Sequence, residues 1–296
     1  MDSLLLGPLV GGLSHHSANI WGRASGPGRL HAWLGHDSHL SDARLAGESL
    51  PLSQETSFAG VAPVHGLNPD TRYYYALTLD TAPPQVSPDP YPYFTTFPSP
   101  GERYPFAFAF GSCFRPQDEE GGAIFTALDE IKERENLRFL LLLGDQIYAD
   151  AWQNNGLGTI ACTLDDYRRA YEYAWRRPPL RQLLADIPVF MTLDDHEVDD
   201  DWTWTDHHRH KARIPVWNRV IRWFKRRRPE ARSISRKRVQ NALQAYWEHQ
   251  GMHAPAHLRP LQLAAGDQYA LETGDPGSLA YTFNFGGAAF FVLDTR

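Results

Sequence analysis

The chain changes rhythm after its first hundred residues. From Leu4 to about Phe97, apolar residues come in short alternating pieces, NIWGRA, RLHAWLG, FAGVAPV and TRYYYALTLD, punctuated by Gly, Pro and Asn. A period of two puts alternate side chains on one face of a strand, and no convincing helical period competes, so this part predicts a small antiparallel sandwich. Its clearest hairpin element is HGLNPDTRYYYALTLD, a Pro-Asp turn that leads into an aromatic strand. Prolines crowd the next stretch, APPQVSPDPYPYFTTFPSPGERYP, which predicts an extended edge and a linker with a domain boundary near Ser99.

Beyond the linker the pattern is one of apolar runs and amphipathic helices. PFAFAFGSC predicts a buried strand, GGAIFTALDEIKERE a helix with Ile124, Leu128 and Ile131 on one face, and RFLLLLGD a strand buried on both faces. Strand, helix, strand in that order predicts a right-handed crossover and a parallel sheet. CTLDDYRRAYEYAWRR reads as a second helix with Thr163 and Asp166 at capping-box spacing, and IPVFMTLDDHE as a third buried strand. VQNALQAYWEHQ predicts a further amphipathic helix, and AAFFVLDTR a further buried strand.

With 296 residues, 42% of them hydrophobic, the chain can bury a large core as one or two domains. No apolar run is long enough to cross a bilayer, and Asp2 stands where a secretory leader would be basic, so a cytoplasmic location and no membrane partner are the expectation. Cys113 and Cys162 cannot make a disulfide framework and are expected to be free thiols. The net charge of −6 conceals an asymmetry: Arg209 to Arg238 hold thirteen basic residues against the single acid Glu230, which leaves −18 on the remainder. Trp217, Trp223 and Phe224 are spaced like a helical apolar stripe, so a solvated basic helical face is favoured over a surface for an anionic substrate or a nucleic acid.

The candidate chemistry lies where the three predicted strands end: at Cys113, at Asp145 with Tyr148, and at Asp194 and Asp195 with His196. Carboxyl ends of parallel strands share one edge of a sheet, so these residues are expected to face one cleft. Taken singly, Asp145 reads as well as a turn cap, Cys113 as a small buried apolar residue, and His15, His16, His207, His208 and His210 as surface residues. Together, a thiol, carboxylates, a phenol and an imidazole would repel one another unless a cation lay between them. The chain has no GxxxxGK[ST] phosphate cradle and no G-x-S-x-G elbow, which excludes those two hydrolase classes.

GSC at 111–113, LGDQIYAD at 143–150 and LDDHEVDDDW at 193–202 resemble, in order and spacing, the alkaline phosphatase D (PhoD-like) family of calcineurin-like metallophosphoesterases. The G-D-x-x-Y element is also similar to that of purple acid phosphatases. The resemblance implies a fibronectin-like β-sandwich over 1–99, followed over 100–296 by the N-terminal part of an α/β (αββα-type) metallophosphoesterase domain. It further implies that Cys113 and Tyr148 ligate Fe3+, that Asp145 bridges to Ca2+, and that Asp195, or its neighbour Asp194, lies near the second metal. His196 would contact the phosphate or the leaving group.

Asp200 stands where many relatives carry an Asn ligand; a carboxylate there suits Ca2+. Thiolate and phenolate on one side and oxygen ligands on the other suit two different metals. The implied function is hydrolysis of a phosphate ester, monoester or diester, by water activated at a metal pair. Relatives supply an Asp and a His downstream of the segment matching FFVLDTR, so the chain is expected to be part of a longer, C-terminally continued enzyme. The family is typically exported, against the cytoplasmic expectation. The alternative from another class is a non-catalytic module that binds an anionic partner.

Overall fold

A computed structural model describes residues 4–79, 81–116, 122–205, 234–255, 260–265, 269, 271–272 and 279–296. The expected basic helix around Trp217, Trp223 and Phe224, and His207, His208 and His210, lie outside the described residues.

The alternating N-terminal pieces form seven strands, β1 (Leu4–Gly11), β2 (Ser17–Ala24), β3 (His31–Gly35), β4 (Arg44–Glu48), β5 (Ala59–His65), β6 (Arg72–Thr78) and β7 (Tyr93–Thr95). Antiparallel pairing orders them as β5-β2-β1 and β4-β3-β6-β7. The period of two sends Ile20, Ala62 and Val64 from one sheet, and Ala32, Leu34, Tyr75 and Phe94 from the other, into one core.

The remaining elements are β8 (Ala107–Gly111), α1 (Ala123–Ile131), β9 (Leu137–Leu143), α2 (Leu164–Trp175), α3 (Pro178–Asp186), β10 (Val189–Thr192), α4 (Arg236–Tyr246), β11 (Tyr281–Phe285) and β12 (Ala288–Val292). β8, β9 and β10 pair in parallel, and β10 also meets β1, with Gly11 beside Val189. The order β5-β2-β1-β10-β9-β8 is therefore one six-stranded sheet that runs from the first hundred residues into the rest.

β9 shows why an unbroken apolar run is needed at the centre of a layered fold. Phe139 and Leu141 face one side, where Phe283 and Phe285 of the β11–β12 hairpin pack against Phe139. Leu140 and Leu142 face the other, among residues of the helices such as Tyr171, Leu183 and Leu243. α2 starts as its spacing predicts, with Thr163 and Asp166 exchanging side-chain and backbone hydrogen bonds.

Three sequence expectations are corrected. Among the described residues β8 is the edge of its sheet rather than a buried strand, with Phe110 72% exposed, because it pairs there with β9 alone. Among the described residues β12 belongs to a two-stranded hairpin with one packed face, which leaves Phe291 exposed; its FFV run hides a period of two. In α1 the buried residue is Phe125, packed on Phe114, while Ile124 is exposed.

The basic segment also has a buried end. Arg238 is 2% exposed: it donates to Asp199 at 3.1 Å, to the Ala161 carbonyl at 2.9 Å and to the Tyr167 hydroxyl at 3.2 Å. Past α4, a wide turn over Trp247–Gly251 buries His249, whose Nδ1 bonds the Ala245 carbonyl at 2.8 Å, and His253 follows, its Nε2 on the His249 carbonyl at 2.9 Å. Each ring has one nitrogen on a carbonyl and the other buried without a partner among the described residues, the pattern of neutral imidazole.

Two predictions follow from these buried groups. Arg238→Ala takes this charged partner away from the buried Asp199 carboxylate, and should lower the urea unfolding free energy by about 3–5 kcal/mol. Burial, then the positive charge of Arg23, lowers the His249 pKa to about 3, and burial lowers that of His253 to about 4. The unfolded chain takes up these protons near pH 6.5 and the folded chain does not, so stability is full above that pH and falls as the pH drops toward 4. The two histidines contribute up to roughly 2.7 kcal/mol per pH unit, two sites at about 1.36 each. Urea titrations across pH 7.5–4.5 should show this slope, and an identical slope in the His249→Gln/His253→Gln variant would contradict it.

Candidate metal centre at the ends of three strands

Two of the three parallel strands, β8 and β9, end in a turn that reverses backbone handedness. Cys113 follows β8 at φ 68°, and Asp145 follows β9 at φ 54°, both in the left-handed region that non-glycine residues rarely enter. Two backbone bonds tie these turns together: Cys113 N–H to the Gly144 carbonyl at 3.3 Å and Phe114 N–H to the Asp145 carbonyl at 3.0 Å. Gly144 is required here, because its φ is 90° and a Cβ on it would lie 2.2 Å from the Cβ of Asp194 in the turn after β10.

The side chains converge on Asp145, which is 4% exposed. Its Oδ2 accepts from the Cys113 thiol at 3.3 Å and from the Tyr148 hydroxyl at 3.4 Å, and its Oδ1 from the His196 backbone N–H at 3.3 Å. Ligand atoms of Asp145, Asp195 and His196 lie within 4.8 Å of one another, as do those of Asp150, His196 and Asp200, and those of Asp195, Asp200 and Asp201. Cys113 itself is exposed, not the small buried apolar residue that it resembles when taken alone; Cys162 is buried, and both are free thiols. His16 is exposed and His15 half-buried.

Crowding of like charge sets the electrostatics. Burial, and the charges of Asp194 and Asp195, push the Asp145 pKa up, against His196 and the Cys113 thiol, which pull it down. Tyr148 is pushed well above the ordinary phenol by burial, by Cys113 and by Asp145. Burial alone would lower His196, but the hydrogen bond and charge of Asp150, with Asp145 and Asp195, raise it to about 9.

These shifts suit a cation. A thiol, a phenol and carboxylates gathered at one point are the donors that a positive ion would deprotonate and bind. The donor set is also asymmetric, sulfur and phenol beside Asp145 on one side and carboxylates at Asp195, Asp200 and Asp201 on the other.

Four contributors go beyond the strand-end reading. Asp150 bonds His196 Nδ1 at 2.7 Å, and the His196 ring lies 4.1 Å from that of Tyr148. Asp150 sits inside LGDQIYAD, yet nothing in its spacing shows that it returns to a ring 46 residues away. Arg296 pairs with Asp194 and, at 2.9 Å, with Asp195. Gly144 keeps the two turns in contact, and Glu197 is fully buried behind them. Two of the four carry a local signal: Gly144 opens the G-D-x-x-Y element, and Glu197 is a carboxylate three residues past Asp194 that completes a capping box.

The PhoD-like phosphatase family model matches residues 106–296. Among characterised proteins, the chain is 29% identical over 244 residues to alkaline phosphatase D of Bacillus subtilis (strain 168), covering 78% of this chain and 34% of that protein. Among solved structures, it is similar to that of PhoD, with a TM-score of 0.68, 24% identity, and coverage of 99% of this chain and 52% of that one. It is also similar to the purple acid phosphatase PPD1 from yellow lupin (Lupinus luteus) seeds, with a TM-score of 0.52, 12% identity, and coverage of 98% and 45%. The chain thus spans about a third of the length of the curated relative and about half of the PhoD structure it matches.

The contact between the turns generates a prediction. Gly144→Ala meets both an unfavourable φ and the Asp194 side chain, and should cost about 2–4 kcal/mol. Urea unfolding measures it, and an unchanged midpoint would mean that the two turns are not pressed together.

Proposed function

Because the chain belongs to the PhoD-like phosphatase family, whose model matches residues 106–296, we propose that its strand-end cleft hydrolyses phosphate esters, monoesters or diesters, with a dinuclear metal centre. The observation that carries this reading is the meeting of Cys113, Tyr148 and Asp145 at one carboxylate, with Asp195 and His196 beside it. In the proposed centre Cys113, Tyr148 and Asp145 would hold Fe3+, and Asp145, Asp195 and Asp200 would hold Ca2+. The first seven strands, ordered three and four, support a fibronectin-like sandwich over 1–99 as the companion of a metallophosphoesterase part over 100–296.

When bound, such a metal pair supplies an activated water and neutralises charge on the phosphoryl oxygens. The chain's own residues orient and protonate. Asp150 accepts from His196 Nδ1 and so leaves Nε2 as the second polar end of the ring, while the Tyr148 ring packs against it, centroids 4.1 Å apart and tilted by 32°. Held this way, His196 donates a hydrogen bond or a proton to the leaving oxygen, a role that the neighbouring carboxylates favour by stabilising the imidazolium. The left-handed turn at Asp145 points its carboxylate at Cys113 and Tyr148.

Asp145→Asn tests the proposal. Elemental analysis after loading with Fe3+ and Ca2+ should show both metals in the unaltered protein and loss of at least one in the variant. Turnover of p-nitrophenyl phosphate or bis-p-nitrophenyl phosphate should fall at least ~100-fold with the circular dichroism spectrum retained. Equal metal content and turnover in the two proteins would rule out this centre.

A further inference from the structure

Glu197 has no solvent exposure and is surrounded by donors. Its Oε2 accepts from the backbone N–H of Asp145 at 2.9 Å and of Asp194 at 3.0 Å; its Oε1 accepts from the backbone N–H of Gln146 at 2.7 Å and from the Gln250 side-chain amide at 3.1 Å. The four donors come from three segments far apart in sequence: the turn after β9, the turn after β10, and the wide turn past α4. Gln250 is itself fully buried and its amide also reaches the Tyr171 hydroxyl at 2.9 Å, so the carboxylate is anchored from the helical layer.

Gly144 at φ 90° and Asp145 at φ 54° leave the successive amides of Asp145 and Gln146 pointing the same way, a concave pair that ordinarily receives an anion. Here the anion is internal. Its bonds to both amides offset the cost of holding Asp145 in the left-handed region, and that conformation is what aims the Asp145 carboxylate at Cys113 and Tyr148. The bond to Asp194 N–H fixes the start of the turn that presents Asp195 and His196.

We infer that Glu197 is a positioning residue: its buried carboxylate clamps the turns after β9 and β10 together and thereby sets the spacing between Asp145 and Asp195. Its carboxylate oxygens receive N–H donors of the protein, two from the turn after β9, one from the turn after β10 and one from Gln250. The role rests on the proposed reading of Asp145 and Asp195 as ligands, and it adds that their separation is set from behind, through the backbone.

Glu197→Gln keeps the shape of the side chain but replaces one acceptor with an NH2 group, which faces backbone donors and breaks about half of the clamp. The probe is Mn2+, titrated into metal-free full-length protein and followed by the electron paramagnetic resonance signal of the free ion, with near-UV circular dichroism recorded on the same samples. The unaltered chain should bind Mn2+. Glu197→Gln should retain the near-UV spectrum and bind about 10–100-fold more weakly, the loss typical when a group that orients a ligand is removed.

A carboxylate that only stabilises the fold would lower the unfolding midpoint and leave the affinity of the folded protein unchanged; that result overturns the positioning role while the metal-centre reading stands. An unaltered chain that is folded and binds no Mn2+ removes both. If Glu197→Gln does not fold, Gln250→Leu carries the test, since it removes one donor to Oε1 and leaves the ligand-bearing turns intact. It should weaken Mn2+ binding about 3–10-fold, a fraction of the full loss, and an unchanged affinity overturns the clamp.

Discussion

Acidic groups crowded at the end of a parallel sheet must each be given a counter-charge or a set of donors, and most of the cleft's architecture follows from that requirement. Glu197 is answered by four N–H donors, Asp199 by Arg238, Asp150 by His196, and Asp194 and Asp195 by Arg296. Asp145, at the centre, faces a thiol and a phenol instead. That difference separates Asp145 from the carboxylates that the protein answers with its own charges and donors. It also explains why the perturbed titrations of Asp145, Tyr148 and His196 gather in one place.

The rest of the fold keeps this arrangement from relaxing. β9 is gripped on both faces, by hairpin aromatics and by the helical layer, so its end cannot shift to ease the repulsion at Asp145. The helical layer also reaches the cleft: Arg238 of α4 holds Asp199, and Gln250 beyond it holds Glu197. On its far side β10 meets β1, so the N-terminal strands form part of the platform under the site. Left-handed backbone at Cys113 and Asp145 persists because tertiary contacts over-determine it.

Much of this was legible along the chain. The alternating pieces before Phe97 became strands, the capping box of α2 started a helix at Thr163, and the apolar run before Asp145 became a strand buried on both faces. The misread elements share a cause. PFAFAF and AAFFV are as apolar as RFLLLL, but burial of a strand is decided by how many neighbours its sheet and layer supply, and among the described residues both lie at an edge. Ile124 and Phe125 are adjacent apolar residues at the start of α1, and only the direction of docking decides which of them is buried.

The amino-acid sequence by itself determined the elements and the chemical types at the strand ends, because hydrophobic period, capping residues and turn residues act over a few positions. It placed Cys113, Asp145, Tyr148, Asp195 and His196 at the mouths of turns, and the parallel topology implied that they meet. What only the tertiary structure decided is which groups answer one another: Asp150 on His196, Arg238 on Asp199, Arg296 across Asp194 and Asp195, and Glu197 holding two turns with Gln250 behind it. Those pairings join residues tens of positions apart, and their selection depends on distances of a few ångströms that no local pattern encodes.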